Sequence, residues 1–116
     1  MSYSEQQARA YMDTIIEMAK LDHDEYFEQA HEMPLEVCHR SDWQSVSCQL
    51  FPSEFLILLS TGGPAVRITG DLDRGTPINA RIEHQDWGTG WTPLFLSDDE
   101  QEHLRRFCDV FCFEMS

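Results

Sequence analysis

Apolar residues recur at three- and four-residue steps in the first third of the chain, at Ala8, Tyr11, Met12, Ile15, Ile16 and Ala19. That spacing puts them on one stripe of a helix of about four turns. Ser4 and Gln7 stand at capping-box spacing ahead of it, and Glu5, Asp13, Glu17 and Lys20 fall off the stripe. Asp22 and Glu25 repeat the capping pattern, and Tyr26, Phe27, Ala30 and Met33 predict a second helical face that Pro34 ends. The two helices have almost nothing between them, so a helical hairpin or kinked pair is expected.

After Pro34 the period falls to two. Leu35, Val37 and His39 alternate with Glu36, Cys38 and Arg40, and Val46, Cys48 and Leu50 alternate again beyond a turn near Ser41. Residues 55–61 are apolar on both faces and bounded by Pro52 and Gly62, which predicts a buried central strand. Gly62-Gly63-Pro64 and Asp73-Arg74-Gly75 are turns by composition. They separate a strand over 65–72, with Val66, Ile68 and Gly70 on one face, from one over 78–87, with Ala80, Ile82 and His84 on one face. Strands joined by tight turns predict an antiparallel meander. Ser97 and Glu100 then cap a last helix with the stripe Leu104, Phe107, Cys108, Phe111 and Cys112. Strands grouped between helices give the expected class: one α+β domain over residues 1–116, an antiparallel sheet of about four or five strands with two N-terminal helices and one C-terminal helix packed on it.

Composition changes this picture mainly through charge. The chain has 116 residues, with 21 Asp and Glu against 8 Lys and Arg, for a net charge of −13. A surface of that sign repels nucleic acid and anionic lipid and attracts basic protein surfaces. The acid is concentrated on the helices: the balance is −6 over residues 1–34, −3 over 35–96 and −4 over 97–116. No apolar run is long enough to span a membrane, and the N-terminus lacks the basic and apolar regions of a secretory signal, so the expected compartment is the cytoplasm.

Candidate chemistry is sparse. Cys38, Cys48, Cys108 and Cys112 are four potential zinc thiolates, but Cys108 and Cys112 share a helical face with Leu104, Phe107 and Phe111, which reads as core. His23, His31, His39, His84 and His103 form no metal-ligand spacing. Residues 60–64 look superficially like a phosphate loop, yet lead into a strand rather than a helix N-terminus. Glu83 and Asp86 near Trp87 and Trp91 have the residue types of a glycosidase pair, set against an architectural reading. In the latter, both tryptophans pack across the sheet end and Asp86 caps a neighbouring turn. No catalytic residue, cofactor or metal is expected.

The stretch ILLSTGGPAVRI at 57–68, Gly70-Asp71-Leu72-Asp73, residues 85–89 and Trp91-Thr92 together resemble a family of small proteins carried by bacteriophages and other mobile elements of proteobacteria. Gly90 stands where that pattern has proline before Trp91. The resemblance carries no functional residue across. It implies a setting in which small acidic proteins often inhibit host defence, as anti-CRISPR and anti-restriction proteins do, by blocking nucleic-acid-binding surfaces. The expectation is a non-enzymatic inhibitor in a host bacterial cell. Asp22, Asp24, Glu25, Glu28 and Glu32 would contact a basic, nucleic-acid-binding host protein, with no direct nucleic-acid or membrane binding. The alternative is a structural or regulatory accessory protein acting through self-association, such as a homodimer.

The thiol reading has a direct check. Intact-mass and elemental analysis should find four reduced cysteines and no stoichiometric zinc; a Cys108–Cys112 bridge would contradict it.

Overall fold

Ser2, not Ser4, caps the first helix. A computed structural model describes residues 2–41, 43 and 52–111 of the chain, and in it α1 spans Tyr3–Met18. Ser2 is extended and its Oγ accepts the Glu5 N–H at 3.2 Å. Ser4 therefore lies inside the first turn, where it is fully buried. The helix α2 (His23–Glu32) begins as its sequence suggests, with the Asp22 carboxylate accepting the Glu25 N–H at 2.9 Å. Its core-facing side is narrower than expected: Tyr26 and Ala30 are buried, whereas Phe27 is 48% exposed. The helix α3 (Asp98–Asp109) carries the reciprocal Ser97–Glu100 capping box, with three acids in the turn where the helix dipole favours them.

Among the described residues six strands form one antiparallel sheet: β1 (Glu36–Arg40), β2 (Glu54–Ser60), β3 (Ala65–Asp73), β4 (Thr76–Pro77), β5 (Arg81–Gln85) and β6 (Thr92–Pro93). The order is β1-β2-β3-β5-β6, with β4 pairing β3. This is the expected meander, with two further two-residue strands, β4 and β6, that sequence periodicity does not reveal. The strand expected over 78–87 is shorter, Arg81–Gln85, and Asn79 stands before its start. The Asn79 side chain takes a backbone role at that point, accepting the Asp71 N–H at 2.8 Å and donating to the Asp71 carboxylate at 2.8 Å. The alternating residues Val46, Cys48 and Leu50 lie outside the described residues.

One face of the sheet makes the core. Phe55, Ile57 and Leu59 from β2, Val66, Ile68 and Leu72 from β3, and Ile82 from β5 are buried, and they pack with Ala8, Met12, Ile15 and Met18 of α1 and Leu104, Phe107 and Cys108 of α3. Most of residues 55–61 thus belong to β2, a strand of period two, buried on one side and half-buried on the other, that begins at Glu54 and ends at Ser60. The sequence shows apolar side chains on both sides of that strand, but the helices cover only one. The third helix of the layer, α2, is tied to the end of α3 by ring contacts, His31 to Phe111 at 5.1 Å and the Arg106 guanidinium over Tyr26 at 4.3 Å.

Gly70 sets how closely the Asn79 backbone and the Phe55 ring approach β3. A Cβ there would stand 2.2 Å from the Asn79 carbonyl oxygen and 2.6 Å from the Phe55 ring. Gly70→Ala should therefore destabilise the fold by about 1–3 kcal/mol or more, measured by urea unfolding. A neutral result would mean that the β3–β5 junction relaxes freely.

Candidate functional site

The five carboxylates singled out on α2 have separate situations. Asp22 is occupied as the helix cap. Asp24, Glu25, Glu28 and Glu32 are all exposed. Successive helical residues turn by about 100°, so Asp24, Glu28 and Glu32 share the side opposite Tyr26 and Ala30, with Glu25 at its margin. Phe27 and His31 flank that side as a stacked pair with centroids 4.2 Å apart. Five ion pairs occur among the described residues: Arg9–Glu100, Lys20–Glu17, Arg40–Glu54, Arg67–Glu83 and Arg105–Glu102. None uses a carboxylate of α2. Like charges at i,i+4, such as Asp24–Glu28 and Glu28–Glu32, each disfavour the helix by about 0.2–0.5 kcal/mol. The outer side of α2 is therefore an uncompensated acidic strip with an aromatic edge.

A second cluster joins residues that lie far apart in the sequence. Ser4, His84 and Asp86 meet where the start of α1 crosses the end of β5. The Asp86 carboxylate accepts both the Ser4 N–H at 3.1 Å and the Ser4 O–H at 2.7 Å. Ser4 Oγ also lies 2.9 Å from His84 Nδ1. A hydroxyl has one proton, and Asp86 receives it, so His84 Nδ1–H must be the donor to Ser4 Oγ. These are the residue types of a hydrolytic triad in a different arrangement. In a triad the histidine takes the serine proton and the carboxylate sits behind the histidine. Here the carboxylate takes the serine proton directly and Ser4 has no exposed surface. The cluster is a clasp between α1 and the sheet. Its two signals in the sequence were Ser4, which competes for the reading of a helix cap, and His84, which alternates in phase with Ile82. Asp86 does cap a backbone group, as expected, and the group is the first turn of α1.

The loop after Asp86 corrects the reading of Trp87. Its indole is 86% exposed rather than packed across the sheet. Gly88 has φ +78°, which turns the chain sharply, and Thr89 closes the turn through bonds to Asp86 and Gln85. The Trp87 ring rests on Gly63, where a Cβ would come within 1.9 Å of it. That ring covers one side of the Gly62-Gly63 turn, whose Gly63–Pro64 peptide is cis. Trp91 is half-buried, with the Arg67 guanidinium 4.0 Å from its ring centre. Glu83 and Asp86 do not face one another across a shared site. Glu83 is engaged by Arg67 on the outer sheet face and Asp86 by Ser4.

Cys108 is buried in the helix layer, and burial pushes its thiol pKa up; Cys38 lies on the sheet, and Cys48 and Cys112 fall outside the described residues. Among the described residues no group of three or more His, Cys, Asp and Glu converges as a metal cage. No helix among them is long and apolar enough to cross a membrane. Comparison with family models, with curated proteins and with solved structures finds no match to this chain.

The clasp has a pH signature. The Ser4 hydroxyl bond, reinforced by the Ser4 N–H, holds the Asp86 carboxyl below the usual aspartate range. A carboxyl with a lowered folded pKa stabilises the fold above its unfolded pKa of about 3.9 and loses that contribution as pH falls through the folded value. Asp86→Asn should lower the urea midpoint at about pH 7, and the gap to wild type should close as pH falls below about 4. A gap that stays constant down to about pH 2 would remove Asp86 ionisation from the account.

Proposed function

We propose that this protein is a non-enzymatic inhibitor that docks the outer side of α2 on a basic, nucleic-acid-binding surface of a host protein and blocks it. The single observation that carries this reading is the acidic strip of Asp24, Glu25, Glu28 and Glu32, exposed and without an ion pair among the described residues. Among the described residues five acids, Glu17, Glu54, Glu83, Glu100 and Glu102, are matched to bases, and none of them is on α2. The acids of α2 stand unmatched at spacings that work against the helix. Phe27 adds an apolar contact at the edge of the strip, the combination of aromatic anchor and charged rim seen in protein interfaces. The resemblance to phage-borne proteins supports reading such an inhibitor as an anti-CRISPR or other anti-defence protein acting in a host bacterial cytoplasm. A surface of this charge competes with phosphates for a basic groove rather than binding them.

A second reading, an accessory protein acting through self-association, is favoured by β1. It is one edge of the sheet among the described residues, and Leu35 beside it and Val37 along it are exposed. Light scattering separates the readings, since edge pairing requires a dimer.

The test of the first reading is association kinetics with the host protein recovered by affinity capture. Charge reversal at Asp24, Glu25 and Glu28 should slow association at about 50 mM salt by roughly tenfold or more, with little change in folding stability. Wild-type association should also slow at about 300 mM salt. Unchanged kinetics, or indifference to salt, would move the contact to the aromatic surface at Trp43 or Trp91.

A further inference from the structure

The sheet face turned away from the helices is a trough. Register places Cys38, Leu56, Thr69 and Arg81 in one cross-strand row. Arg40 and Glu54 stand on one side of that row, and Arg67 and Glu83 on the other. The row is short-chained at Cys38 and Thr69, while both walls are long side chains held upright by ion pairs. Arg40 Nε donates to Glu54 at 2.6 Å. Arg67 Nε donates to Glu83 at 2.9 Å, Thr69 Oγ1 donates to the same Glu83 oxygen at 3.2 Å, and Trp91 backs the Arg67 guanidinium. The Arg67 and Glu83 side chains keep only 25% and 14% of their surface although no helix covers them. Between the walls lies a cavity of about 350 Å³, lined also by Gly70 and Arg81. That volume is at the small end of the range that holds one small molecule.

The charge pattern selects the ligand. Arg40 and Arg67 are each neutralised by a glutamate. Arg81 has no acidic partner among the described residues, so one positive charge is left over in the cavity. Its planar fork matches a carboxylate. A single negative charge satisfies it, whereas the second charge of a phosphate would face Glu54 and Glu83. The Cys38 thiol adds no anion, because desolvation and then the neighbouring Glu36 raise its pKa. Leu56 offers an apolar surface in the same row.

We propose that this trough binds a small carboxylate monoanion, its charged end on Arg81 and its apolar body against Leu56 and Thr69. The carboxylate belongs either to a free small acid or to the C-terminus of a peptide. Neither the fold nor the α2 strip depends on it, so its failure leaves the inhibitor reading standing.

The test follows the arginine Nε–H resonances and calorimetric heats of the full chain against benzoate, N-acetylphenylalanine, N-acetylphenylalanine amide and inorganic phosphate. At least one acid should bind with a Kd below about 1 mM and shift Arg81. The amide and phosphate should bind at least about tenfold more weakly. Binding of N-acetylphenylalanine without benzoate would assign the site to peptide C-termini; binding of both would assign it to small acids generally. Arg81→Met should weaken binding at least about tenfold with an unchanged melting temperature, and Arg74→Met, which removes an equal charge from an exposed turn, should leave it intact. No shift of Arg81 by either acid up to about 10 mM would overturn the proposal. So would equal binding of acid and amide, or equal losses in the two arginine variants.

Discussion

Everything in this fold depends on one sheet face being covered and the other left open. A sheet of alternating residues has to bury one side, and α1 and α3 supply that cover over β2, β3 and β5. The fully buried Phe107, Met12, Ile15, Ile57, Ile68 and Ile82 are the interlocked part of that layer, where truncating a large side chain typically costs about 2–5 kcal/mol. With the core made there, the helices have no apolar surface to spare for the second face. The outer sheet face must then be built from groups that tolerate water, and it is built from paired arginines and glutamates over small side chains.

The Ser4–Asp86–His84 clasp fixes how that layer is aligned. Apolar burial is not directional, so it does not by itself set the position of α1 along β5. Two bonds from one residue at the start of the helix to one carboxylate at the end of the strand do set it. The same clasp determines where the loop after β5 begins, and so where Gly88 turns the chain and Trp87 comes to rest on Gly63. An exposed indole held by a closed turn is a consequence of this alignment.

Much of the fold was legible because it follows from periodicity and caps. The stripe of α1, the caps of α2 and α3, the buried alternation Val66, Ile68, Gly70 and the in-phase Ala80, Ile82, His84 are all local patterns. The misplacements share a cause. Ser4 has the chemistry of a cap, but a long-range partner took it, and Ser2 was free to cap instead. Between β4 and β5 the Asn79 side chain substitutes for backbone by accepting the Asp71 N–H, which composition does not announce. Tryptophan usually packs, but Trp87 lies in a turn that Gly88 closes at positive φ and stays exposed. The acids of α2 could be named from sequence because exposure on a polar helix side is local. The outer trough could not, since it needs the register of four strands.

The two surfaces proposed for binding are opposed in their electrostatics, and the net charge of −13 acts on them with opposite sign. The α2 strip adds to the overall field, so a basic partner is drawn to it over distance, and added salt weakens both local and distant attraction. The trough works against that field: Arg81 attracts an anion at contact, while the rest of the molecule repels it from farther away. At physiological ionic strength the screening length is about 8 Å, which suppresses the distant repulsion more than the contact attraction. Moderate salt should therefore leave carboxylate binding in the trough unchanged or strengthen it, at concentrations that already slow docking of α2. A chain this acidic can keep an anion-selective cavity only if the positive group is local and unshared, and Arg81 is the arginine of the trough that meets that condition.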